Sequence, residues 1–289
     1  MNDGVVYIAH PSGARACVHL HGAHLTSWKT ANGTEQIFLS KKAIFEPPKA
    51  IRGGVPVCFP QFSDFGELSK SHGFARNERW TLFEREGDTV TLKLSSNDGV
   101  DFDSKYGCKD HFVISLKYTI NETQISTQLE VTNTSPTSAM TYSLALHTYL
   151  RVEDITHTSI QGLYRVGYLD SLDGREMKSE SNSVITVNEE VDRIYLSTPP
   201  TVKIVDKCGK RSLCIKKFNL PDIVVWNPWI DKSKRMGDFG DEEYKEMICV
   251  ETGCIKPPIE LLPGTKWRAE QIITATHNNQ EPEEPEDKF

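Results

Sequence analysis

Phe112-Val-Ile-Ser-Leu-Lys-Tyr-Thr-Ile120, a three-residue polar break Asn121-Glu-Thr123, then Gln124-Ile-Ser-Thr-Gln-Leu-Glu-Val-Thr132: this stretch reads as two strands joined by a turn. Both runs are rich in Val, Ile, Thr, Tyr and Leu, the residues that suit a pleated, half-buried surface. Outward from it the same pattern recurs at Ala16 to Leu20, Thr89 to Leu94, Ser183 to Val187, Val202 to Val205, Ile223 to Trp226 and Trp267 to Thr274. Asn32-Gly33, Asn97-Asp98-Gly99 and Asp173-Gly174 sit between apolar runs, where such sequences mark tight turns. Helix is scarce, with Asp241 to Glu246 the best candidate, and the regular βα alternation of a parallel sheet is absent. The expectation is a large, all-β, antiparallel protein with few short helices. At 289 residues it is long for one domain, yet all-β folds reach this size with a single core.

The net charge of -7 is concentrated at the C-terminus. Glu281 to Phe289 carries five acids and one lysine, net -4, which leaves -3 on the body. Without a basic stripe or arm, the electrostatic footprint of a nucleic-acid binder is missing. The acidic tail, 278–289, is expected to be disordered, because repeated Glu and Pro bury too little apolar surface to offset ordering entropy. No apolar stretch spans a bilayer, and Met1-Asn-Asp-Gly4 lacks the regions of a signal peptide, so a soluble, cytoplasmic protein is expected. Seven scattered cysteines with no C-x-x-C pair fit reduced thiols.

Two further runs carry titratable groups. In Thr141-Tyr-Ser-Leu-Ala-Leu-His147, alternation puts Tyr142, Leu144 and Leu146 on one face and Ser143, Ala145 and His147 on the other. In Met247-Ile-Cys-Val-Glu251, Ile248 and Val250 share one face, and Met247, Cys249 and Glu251 the other. Each group follows its strand on the non-aliphatic side, so both could line one groove as an acid/base pair. A satisfied half-buried histidine and a surface acid at a strand end fit the residues equally well.

Glu46 to Gln61 is rich in Pro and Gly and reads as a structured loop. Arg52 precedes Gly53-Gly54, and Arg76 closes Ser71-His-Gly-Phe-Ala-Arg76; a guanidinium in either loop can fork onto an anion, or can serve as an ordinary surface arginine. His19, His21 and His24 superficially resemble a metal cluster, but His19 and His21 share a face of a presumed strand and are read as one solvated side. Asp238 to Glu243 does not match a calcium loop and reads as a solvated acidic turn. Cys58 and Cys249 read as small buried fillers. Neither a P-loop nor G-x-G-x-x-G occurs, so nucleotide binding has no support.

Six blocks in order, Ile51 to Phe62, His72 to Arg76, His147-Thr-Tyr149, Glu190 to Tyr195, Val224 to Trp229 and Asp238 to Tyr244, resemble the hexose-6-phosphate mutarotase branch of the aldose 1-epimerase family. The resemblance covers about residues 5 to 275 and implies a galactose mutarotase-like β-sandwich forming one domain, 1–277. It implies an isomerase that interconverts α and β hexose 6-phosphates with no metal or organic cofactor. His147 and Glu251 would be catalytic, with Glu251 the base and His147 the acid, and Arg52, Ser71, His72, Arg76 and Asp192 would bind substrate, the arginines taking the 6-phosphate. Ser71 departs from the branch, whose members usually carry glutamine there, so a shorter or water-mediated contact is implied. A monomer is expected, with a hexose 6-phosphate as its ligand and no nucleic-acid or membrane partner. The rivals are an aldose 1-epimerase acting on unphosphorylated sugars and a non-catalytic sugar-phosphate binding protein.

Overall fold

Alternation along Phe112–Ile120 sends Phe112, Ile114, Leu116, Tyr118 and Ile120 to one face, and all five are buried. The strand pairs antiparallel with Gln124–Asn133 in the register that the short connection between them dictates, Ile120 opposite Ile125. In the computed structural model these two strands sit within a nine-stranded antiparallel sheet. Its order is Val184–Thr186, Thr158–Gln161, Thr201–Asp206, Arg211–Phe218, Lys266–His277, Gln124–Asn133, Phe112–Ile120, Thr89–Ser95, Thr81–Glu86. The structure describes residues 4–97 and 99–277; the acidic tail, the first three residues and Asp98 of the Asn97-Asp98-Gly99 turn lie outside them.

A second, eight-stranded sheet runs Glu176–Ser179, Gly167–Asp170, Val191–Tyr195, Asp222–Asn227, Met247–Leu261, Met140–Leu146, Val57–Cys58, with Tyr149–Arg151 also paired to Met247–Leu261. A three-stranded sheet of Val5–Ala9, Arg15–His19 and His24–Lys29 completes the strands. Tyr142, Leu144, Leu146, Ile248 and Val250 pack in one cluster with Ile114, Leu116, Leu129 and Ile273 of the nine-stranded sheet, which makes the interior of a sandwich. Burying each large aliphatic side chain there contributes roughly 1.5–3 kcal/mol. Ala145, Met247, Cys249, Val224, Trp226 and Tyr149 belong to a separate cluster on the opposite face. The period-2 reading of both titratable runs is therefore observed residue by residue.

Four readings of the sequence change. Glu251 does not end its strand: Met247–Leu261 continues ten residues further, through a bulge between Cys254 and Ile259. Lys256-Pro257-Pro258 lies in that irregular stretch, and proline, which cannot donate to a ladder, disguises the continuation. The Pro/Gly zone contains the short strand Val57–Cys58, paired to Leu146 and Ala145. Asp241 to Glu246 yields only a 3₁₀ turn at Glu243–Glu246, while the longest helix is Trp229–Arg235, too short to show a helical period in sequence. The acidic turn is not solvated throughout: the Glu243 carboxylate is buried and accepts from Ser40 Oγ at 2.6 Å, Lys41 N at 2.8 Å and Gly240 N at 2.7 Å. No helix among the described residues is long and apolar enough to cross a membrane.

Candidate active site

The eight-stranded sheet builds the floor of a groove by register. Ile194 faces Val224 and Val224 faces Glu251; one row along, Asp192 faces Trp226, Trp226 faces Cys249, and Cys249 faces Tyr149. Directly opposed residues share a face of an antiparallel sheet, so these side chains rise together. His147 follows the last residue of Met140–Leu146, and its backbone N–H donates to Pro56 O at 2.9 Å. Its ring stacks on Tyr149, centroids 4.7 Å apart at 9°, and meets Trp226 edge-on at 5.9 Å. Two aromatic walls thus fix the imidazole plane.

His147 Nδ1 lies 3.2 Å from Glu251 Oε1. Nδ1 nevertheless has no hydrogen-bond partner of acceptable geometry among the described residues, and neither does Glu251 Oε2. Each group therefore keeps hydrogen-bonding capacity that no described residue uses. Burial pushes the His147 pKa well below the ordinary histidine range, and the nearby His72, Arg76 and Arg52 add to that effect. Burial likewise raises Glu251 well above the usual carboxylate range, helped by Asp192 and opposed by Arg76. Both shifts favour uncharged forms, so the resting pair is neutral with its proton on Glu251.

Arg52 enters from the loop before Val57–Cys58. Its Nε donates to Asp238 Oδ1 and its Nη1 to Tyr149 Oη, each at 3.2 Å. Burial opposes its charge, but Tyr149 and Asp238 outweigh that and hold the guanidinium charged. Gly53-Gly54 is what lets this loop pass: both have positive φ, and a Cβ on Gly54 would lie 2.3 Å from His24 Nε2. His24, fully buried, bonds Gly53 O through Nε2 at 2.8 Å, and His21 Nε2 bonds Lys49 O at 2.6 Å. His21 is therefore not part of a solvated strand side; it and His24 buttress the Arg52 loop, and burial lowers His24 to about 3.

Arg76 lies in the 3₁₀ turn Ala75–Asn77, and its Nη2 donates to Ser71 O at 3.1 Å. His72 has φ 65° and accepts from Ser63 N through Nδ1 at 3.2 Å, leaving Nε2 to carry the proton. Its pKa is lowered to about 3 by burial and then by Arg76 and Arg52. Asp192 is raised by burial, against the hydroxyl of Ser171 and the charge of Lys232, whose Nζ is 3.8 Å away.

Six of the seven residues expected at the site, Arg52, His72, Arg76, His147, Asp192 and Glu251, line one cavity of about 440 Å³. Ser71 does not; it lines a neighbouring cavity of about 420 Å³, which shares Arg52 and Arg76 with the first. Sequence reasoning missed Ser63, Ser171, Arg175 and Lys232 on the groove wall. Arg175 forms an ion pair with Asp64 and lies over the Phe65 ring at 4.3 Å, tying two loops together at the groove. Tyr149 had a signal, two residues beyond His147 and so on the same side of an alternating run; Lys232, on a short helix, had none.

Potential metal donors of His147, Cys249 and Glu251 lie within 4.8 Å of one another. Burial holds the Cys249 thiol well above its ordinary pKa, as it does Cys58, so Cys249 keeps its proton. In this state Cys249 is a packing thiol beneath His147 and Glu251.

The sequence is 39% identical over 275 residues to a proposed glucose-6-phosphate 1-epimerase of Cenchrus ciliaris, covering 91% of this chain and 83% of the relative. It is 32% identical over 253 residues to a proposed glucose-6-phosphate 1-epimerase of Escherichia coli, covering 86% and 82%. The fold superposes on the crystal structure of a proposed mutarotase from Salmonella typhimurium with a TM-score of 0.85 at 28% identity, over 94% of this chain and 90% of the other. Residues 4–274 match the model of one family, aldose 1-epimerase, and with that match and those relatives the chain belongs to the aldose 1-epimerase family.

Proposed function

We propose that the protein is a cytoplasmic hexose-6-phosphate mutarotase, an isomerase that interconverts the α and β anomers through the open-chain aldehyde. One observation carries this reading: an unpaired, converging His147 and Glu251 share a cavity with two arginines. A groove for neutral sugars has no need of the second feature, and a binding module has no need of the first. Relatives named as glucose-6-phosphate 1-epimerases support the substrate class. The free thiols of all seven cysteines suit a reducing compartment.

In the reaction the proton of the resting pair first passes from Glu251 to His147; the Glu251 carboxylate then takes the proton of the C1 hydroxyl while His147 gives a proton to the ring oxygen. The C1–O5 bond breaks, C1 becomes an aldehyde, rotation about C1–C2 exposes its other face, and the reverse transfers close the ring. Arg52 and Arg76 hold the phosphate while C1 turns, so binding energy from the unreactive end orients the reactive one. Asp192 and His72 Nε2–H are placed to meet sugar hydroxyls. All of these groups come from one chain, which suits a monomer.

The test is NMR magnetisation exchange between α- and β-glucose 6-phosphate at equilibrium, with glucose in parallel. Accelerated exchange of the phosphate ester, lost in His147→Ala, is expected. Equal acceleration of glucose would replace this reading with an aldose 1-epimerase for unphosphorylated sugars, and binding without exchange would replace it with a sugar-phosphate binding protein.

A further inference from the structure

Arg52 and Arg76 are the two residues common to the walls of two adjoining cavities. On one side is the groove with the acid/base pair. On the other is a chamber of about 420 Å³ whose wall adds Lys49 and Lys70, giving four cations against one carboxylate, Asp238. That carboxylate is already bonded to Arg52 Nε. Arg76 Nε is buried without a partner, so a donor stands uncommitted in the partition itself. An oxyanion could reach the arginines without occupying the space of a sugar ring beside His147.

We propose that this arginine partition is an anion-activation site: a dianion bound there, whether the substrate's own phosphate or a free inorganic oxyanion, switches the buried pair into its working state. The proposal rests on the mutarotase reading and adds to it that phosphate acts on the chemistry as well as on binding.

The working state needs a proton on His147 and a charge on Glu251, the reverse of the resting pair. The groups around His147 are Tyr149 and Trp226 against its ring, His72 at 5.6 Å, Glu251, Cys249 and the two arginines. Burial keeps the four titratable neighbours uncharged: His72 is lowered to about 3, while Tyr149, Cys249 and Glu251 are raised. On the far wall Lys232 is paired with Glu190 and Asp192, and Arg175 with Asp64. The field left on His147 is therefore that of Arg76 together with what the Asp238 carboxylate leaves of Arg52's, and it opposes protonation. Both arginines bear on His147 but only Arg76 bears on Glu251. Cancelling their charge thus favours the imidazolium more than it disfavours the carboxylate, and in a low-dielectric site such an effect is large.

The experiment measures catalysed anomer exchange of glucose with added potassium sulfate, against potassium chloride at equal ionic strength and against protein-free controls. Sulfate is a weak base and contributes little exchange of its own. The expected result is saturable activation by sulfate of about tenfold, the effect of one pKa unit. Arg76→Met should raise glucose exchange without sulfate and abolish the sulfate response, while weakening exchange of glucose 6-phosphate; Arg52→Met should do the same, and thermal melts establish that each is folded. Sulfate that leaves glucose exchange unchanged or lowers it, or chloride that activates equally, would overturn the proposal and leave phosphate as an anchor. Glucose 6-phosphate run in parallel separates the two readings, because its failure to exchange would sink the mutarotase itself.

Discussion

The two faces of the strand Met247–Leu261 do opposite work with adjacent residues. Ile248 and Val250 face the other sheet and are wholly buried among aliphatic side chains. Cys249 and Glu251, one residue away, are just as buried but face the other way, Cys249 into a second apolar cluster and Glu251 into the polar groove. The difference teaches that burial alone does not distinguish core from site: on the first face it stabilises, and on the second it raises the free energy of charged forms and pushes the Glu251 carboxyl above its usual range. Isolated buried polar groups are costly, so the sandwich core has to supply the stability that the groove withdraws.

Substitutions on either face should separate these roles. Ile248→Ala should have the largest effect on stability, about 2–5 kcal/mol for a buried Ile to Ala change, with turnover per folded molecule unchanged. Urea unfolding against the exchange rate checks this, and an equal loss in both would blur the division between faces. Glu251→Ala and His147→Ala should do the reverse, lowering the rate by roughly 10²-fold or more while the melting temperature stays the same or rises, because each removes a strained buried polar group. A large fall in melting temperature would mean that the pair is structural.

Next in size, the double variant Arg52→Ala, Arg76→Ala should raise KM for glucose 6-phosphate by on the order of 10²-fold, since charge-assisted hydrogen bonds contribute about 1.5–3 kcal/mol each. Normal KM in that variant would move the phosphate elsewhere. Glu243→Ala removes the acceptor of three hydrogen bonds beneath the Arg52 loop, where Ser40 N also donates to Arg52 O. A loss of about 1–3 kcal/mol in stability, with a modest rise in KM, is expected from unpaired buried donors, read by thermal melts and kinetics together. The smallest effect belongs to Asp64→Asn at the exposed ion pair with Arg175, where about 1 kcal/mol or less is at stake and high salt should mimic the substitution.

Much of this site was legible in the sequence because strands have a period of two. Once Thr141–His147 and Met247–Glu251 are taken as strands, the faces of Ala145, His147, Cys249 and Glu251 follow, and the structure agrees at each. What period cannot show is which strands are neighbours. Nothing local announces that Val224 lies beside Glu251, or that Asp192 lies beside Trp226, because those pairings depend on the order of strands in the sheet. Tertiary contacts also decide the fate of polar residues that look solvated in sequence. His21, His24 and Glu243 are polar, near turns, and buried, because each satisfies backbone groups of a loop that has no ladder of its own. The same gap explains Ser71: it lies beside His72 in the chain, yet the turn at His72 and Gly73 sends it to the second cavity.

His24 grips the carbonyl of Gly53, and its ring fills the space that any side chain on residue 54 would need. Positions 24, 53 and 54 therefore form one structural unit. A side chain at 54 would meet the Leu25 carbonyl oxygen at 2.4 Å as well as the His24 ring, so a smaller residue at 24 makes no room for it and only abandons the carbonyl at 53. A change at any corner of that triangle therefore withdraws support from the loop that carries Arg52.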